Sequence, residues 1–95
     1  MHAVVVEVSI SDFESARKGL QEMVVPRAKQ APGFVAGYWT RSDEGNNGLS
    51  MLVFESEGNA QAAAEMIRTS IERPEGVTLD NVEVREVVAN ASAGS

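Results

Sequence analysis

The sequence predicts an α+β domain of order βαββαβ, a four-stranded antiparallel sheet with both helices on one face. Two patterns carry this. From His2 to Ile10, the even positions Val4, Val6, Val8 and Ile10 form an unbroken apolar stripe, while the odd face keeps Ala3 and Val5 before turning polar at Glu7 and Ser9. Two later stretches, following Ser11 and Ser56, instead repeat their apolar residues at a helical period of about 3.6. A sheet that is apolar on both faces needs two covers, and two helices supply one. The expected second cover is another copy of the same sheet, so a homodimer is expected.

The elements follow in order. Ser11 to Glu14 reads as a capping box opening the first helix, with Phe13, Ala16, Leu20, Met23 and Arg27 along one stripe and Glu14 with Lys18 as an exposed pair. Pro26 cannot donate to the Glu22 carbonyl and is expected to kink this helix, which ends at Ala31-Pro32-Gly33. Phe34 to Arg41 is the second strand. The Gly- and Asn-rich segment Ser42 to Gly48 is a hairpin loop, and Leu49 to Glu55 returns as the third strand. Ser56 caps a second helix with Ala60, Ala63, Ala64, Ile67 and Ile71 on its apolar face. The segment Glu72 to Gly76 stops that helix, and a fourth strand is expected from Asn81 to Val88. With right-handed crossovers this is the ferredoxin-like arrangement, one domain over residues 1–88 with a flexible tail over 89–95.

Composition narrows the function. Eight Lys and Arg against fourteen Asp and Glu give a formal charge of −6, which repels nucleic acid and anionic membrane surfaces. The absence of cysteine removes disulfides, thiolate zinc sites and cysteine nucleophiles, and fits a reducing cytoplasm. No apolar run approaches the roughly 20 residues that span a bilayer, so a soluble cytoplasmic protein is expected. Paired histidines, a phosphate-cradling glycine loop and a calcium-hand spacing are all missing, so no metal and no cofactor is expected.

The segments Pro32-Gly33-Phe34-Val35-Ala36-Gly37-Tyr38 and Val53-Phe54-Glu55-Ser56, with Ala60 beyond, resemble the dimeric α/β barrel proteins, specifically the antibiotic-biosynthesis-monooxygenase-like group. That resemblance implies two sheets facing one another in a closed barrel, with a pocket between strands and helices or inside the barrel. It also implies cofactor-independent oxidation or isomerisation of a small aromatic or polyketide-like anion, or else a non-catalytic or stress-associated dimer that holds a small ligand. Haem-degrading relatives use a well-held histidine ligand, and the single histidine here is His2, at the chain terminus.

Side chains able to carry such chemistry each have two readings. Trp39, grouped by alternation with Val35, Gly37 and Arg41, is either a pocket wall with Gly37 leaving it room or a large apolar filler of the dimer interface or barrel. Arg41 is an anchor for a carboxylate or enolate, a partner of Glu7 or Glu55, or a charge at the solvated strand end. Val5 belongs with them as a pocket candidate on the second face. Tyr38 is placed under a helix, with its hydroxyl a candidate proton donor. Glu7 becomes a general base if a dimer buries it, and is a surface charge otherwise. His2 is an acid–base candidate or a solvated end residue. Met23, Met51 and Met66 read as core filler.

Overall fold

A computed structural model describes residues 1–70 and 75–93 of the 95-residue chain. The strands are β1 (His2–Ile10), β2 (Phe34–Arg41), β3 (Asn47–Phe54) and β4 (Val77–Glu86), joined in one antiparallel sheet of order β2-β3-β1-β4. Strand β1 is central, and its register places Val4 between Leu52 and Val84, and Val6 between Ser50 and Val82. The inward stripe read from the sequence is therefore continued sideways by its neighbours. Val4, Val6, Leu52 and Phe54 are buried and form the core with Ala28, Ala60 and Ala64 from the helices.

The first helix is not a simple kinked helix. It runs as α1 (Phe13–Gly19), a π-helical turn over Leu20–Val24, and α2 (Val25–Gln30). The Val25 amide donates to the Leu20 carbonyl five residues back. Pro26 has no N–H for the Glu22 carbonyl, and the chain accommodates this by widening one turn. The N-cap is Asp12, one residue later than the expected box. Its carboxylate accepts from the Ser15 amide and hydroxyl, which hold its pKa below the ordinary aspartate value. Ser11 instead donates its amide and hydroxyl to the Gly76 carbonyl, and Glu14 pairs with Arg17 at 3.2 Å rather than with Lys18.

Helix α3 (Glu57–Thr69) begins where expected, with the Ser56 hydroxyl accepting from the Asn59 amide at 3.1 Å. Asn59 then reaches back to donate from Nδ2 to the Pro32 carbonyl at 3.0 Å. That contact fixes the turn into β2. Gly33 there takes a φ of +75°, and a Cβ on it would fall 2.6 Å from the Asn59 side chain, so glycine is required on both counts. Ile71 and the stop at 72–74 lie outside the described residues. Strand β4 starts earlier than expected, at Val77.

The pairing of β2 with β3 changes the reading of the site. Phe34 pairs with Phe54 but Ala36 with Val53, so Val35 is an extra residue in a β-bulge. One inserted residue reverses the alternation. Phe34 stays on the helix side of the sheet as expected, but Gly37, Trp39 and Arg41 join it there and Ala36 and Tyr38 stand on the open side with Thr40, each opposite to the face that simple alternation gives. Phe34 meets Phe54 edge to face, with centroids 5.9 Å apart. A second bulge, at Asp80 in β4 between the Glu7–Asn81 and Val8–Leu79 pairs, lets its carboxylate accept from the Ser9 hydroxyl at 2.6 Å.

Two substitutions check this architecture. Ser56→Ala should lower unfolding free energy by about 1 kcal/mol in urea titrations, and a loss of only a few tenths would contradict the cap. A Cβ on Gly37 would lie 2.8 Å from the Trp39 ring. Gly37→Ala should therefore alter the tryptophan near-ultraviolet circular dichroism, whereas an unchanged band would contradict the inward placement of Trp39.

Candidate functional site

Between the sheet and the helices lies a cavity of about 290 Å³. Its floor is the inward stripe of the sheet, including Val6, Val8, Ser50, Leu52 and Trp39. Its roof comes from both helical segments, with Ala16, Leu20, Met23 and Ala28 on one side and Ala63, Met66 and Ile67 on the other. Small residues on facing surfaces explain the space. Gly48, Ser50, Ala16, Ala28, Ala31 and Ala63 supply little volume where two layers would otherwise interdigitate. Helices α2 and α3 pack closely on the strands, whereas α1 and the π turn make sparse close backbone contact with them, so the roof stands off the floor at that end. Met66, 73% exposed, and the exposed Arg27 stand at the mouth.

Trp39 is held by its strand. Its indole folds back over Gly37, where the missing side chain leaves room beside the ring of Phe34. The aromatic wall of the cavity is thus built from a glycine two residues away on the same strand face. Gly37 itself is a floor under Trp39 and does not line the cavity.

The other candidates are not brought together there. Arg41 places its guanidinium over the Phe13 ring, 3.6 Å from the centroid, at the start of α1. It pairs with neither Glu7 nor Glu55, and Glu7 projects from the opposite side of the sheet. Val5 is on that open side too, between Met51 and Glu83. Tyr38 is 69% exposed there, not packed under a helix, and Glu7 is exposed on the same face. His2 is not a solvated end residue: its side chain is 22% exposed, its Nε2 lies 3.8 Å from the Glu57 carboxylate, and its buried Nδ1 has no hydrogen-bond partner. Among the methionines, Met23 lines the cavity, but Met66 and Met51 are exposed, Met51 by 46% on the open face.

Two cavity residues, Ser50 and Arg27, belong to no motif in the sequence. Ser50 sits on the inward stripe Gly48-Ser50-Leu52-Phe54, where a buried hydroxyl interrupts an apolar series. Arg27 ends the apolar stripe of the first helix. A cation closing such a stripe was the available signal for it. Among the described residues, no group of His, Cys, Asp or Glu side chains is placed to hold a metal ion. No helix in the described residues is long and apolar enough to cross a membrane.

No protein-family model matches the sequence, and no curated protein matches it. Among solved structures, a dimeric ferredoxin-like protein from an uncultured marine organism is similar, with a TM-score of 0.64 over 97% of this chain and 99% of that one at 14% identity. At that identity the likeness speaks to architecture alone. The chain has the α+β ferredoxin-like fold.

Proposed function

We propose that the chain works as a homodimeric α/β barrel protein that holds a small apolar ligand between its sheet and its helices. The observation that carries this reading is the cavity beside Trp39, walled mainly by apolar side chains with Ser50 in its floor. Its volume lies at the lower edge of the roughly 300–1,000 Å³ common for small-molecule sites. The homodimer is supported by the uncovered face of the sheet, where Val35, Tyr38, Leu49 and Met51 are each between 46% and 69% exposed. Large apolar side chains clustered on one face mark an interface. The similar marine protein is itself described as dimeric.

An oxidative role, in which a small aromatic or polyketide-like anion is oxidised without cofactor, rests on the resemblance of 32–38 and 53–56 to the monooxygenase-like group. Of the side chains that would move a proton, Glu7 and Tyr38 stand on the sheet face away from the cavity, and His2, beside Glu57, is not among the residues that line it. Such chemistry would then belong inside the closed barrel. Binding is the reading the cavity favours.

Sedimentation at micromolar concentration should give a dimer, and Met51→Glu should give a monomer by placing a charge on each side of the shared face; an unaltered dimer would contradict this interface. Trp39 is the single tryptophan, so its emission reports on the cavity. Titration with 1-octanol should change that emission saturably, and Ser50→Leu, which fills the floor, should weaken the response at least tenfold. Equal binding by the variant would place the ligand elsewhere.

A further inference from the structure

Among the described residues, the charge that lines the cavity is one-sided in a way that the composition does not lead one to expect. The sequence holds fourteen Asp and Glu, and not one of them is among the described residues lining the cavity. The sole ionisable side chain in that lining is Arg27. It is exposed, and lies one helical turn beyond Met23 and Val24, which line the cavity with it. An arginine so placed lays its aliphatic stem along apolar surface and keeps its guanidinium at the water boundary.

We propose, resting on the binding reading above, that the ligand is a small monocarboxylic acid whose apolar body lies against Trp39 and whose carboxylate is taken by Arg27. A guanidinium carries five N–H donors in a planar fork, so it can receive a carboxylate alongside a contact within the protein. The cavity, at about 290 Å³, lies at the lower edge of small-molecule sites, which suits a short-chain acid such as octanoate and not a long-chain one. Carboxylate lining would repel such a head group, and the described lining has none. The anchor is therefore Arg27 at the mouth, and Arg41 serves α1 by stacking on Phe13.

The test compares octanoate with 1-octanol by Trp39 emission in the full chain and in Arg27→Gln. The wild-type protein should bind octanoate more tightly than 1-octanol, with the difference shrinking as salt is raised. Arg27→Gln should weaken octanoate on the order of tenfold more than it weakens 1-octanol, the scale of a lost hydrogen bond to a charged group. If the two ligands lose affinity equally, or neither does, the anion anchor is overturned while the apolar cavity stands. If the wild-type protein binds neither ligand, both readings fall. Arg27→Lys separates charge from fork geometry: recovery of more than half of the octanoate preference would overturn the bidentate role and leave a point charge.

Discussion

The single extra residue in β2 sets the phase on which the site depends. Val35 has no partner of its own in β3, and from Gly37 to Arg41 every side chain is turned to the other face from the one that unbroken pairing after Phe34 would give. Trp39 thereby enters the space under the helices, and Tyr38 is sent to the open face. The same slip places Arg41 on the helix side, within reach of Phe13. A cavity wall, an exposed aromatic and a cation–π contact thus share one backbone cause.

The space those side chains enter is made by restraint elsewhere. Alanines on both helices bring α2 and α3 close to the strands, and Ala28, Ala60 and Ala64 are buried there. Toward the other end, the π turn adds a residue to its coil and the roof departs from the sheet. Pro26 is the origin of that turn. Apolar walls held apart make fewer dispersion contacts than walls that interdigitate. A ligand that restores those contacts stabilises the folded state by binding it.

Much of the architecture was legible. Alternation in β1, the helical period of both helices, Ser56 as a cap and Pro32-Gly33 as a turn all rest on local rules that tertiary packing did not override. The bulge was not legible, for a physical reason. Phe34 to Trp39 contains no charged residue, and its two polar side-chain groups, the Tyr38 hydroxyl and the Trp39 indole N–H, sit on mainly apolar rings, so either phase of the strand buries a comparable apolar set. With no polar break to fix the phase, the faces of Trp39 and Tyr38 were assigned by simple alternation. Arg27 was visible as the end of a helical stripe, but only the packing shows that this stripe borders empty space. Likewise, Ser11 and Asp12 are both good caps, and the choice between them is made by the Gly76 carbonyl, sixty-five residues from Ser11.

The central claim is that an apolar cavity beside Trp39, on the helix side of the sheet, accepts a guest. Crystals of the protein pressurised with xenon test it most directly, since xenon partitions into apolar cavities without needing a polar contact. The account predicts a xenon site bounded by Trp39, Leu52 and Ala63. Xenon found only on the open face near Tyr38 and Met51, or no ordered site at all, would contradict it.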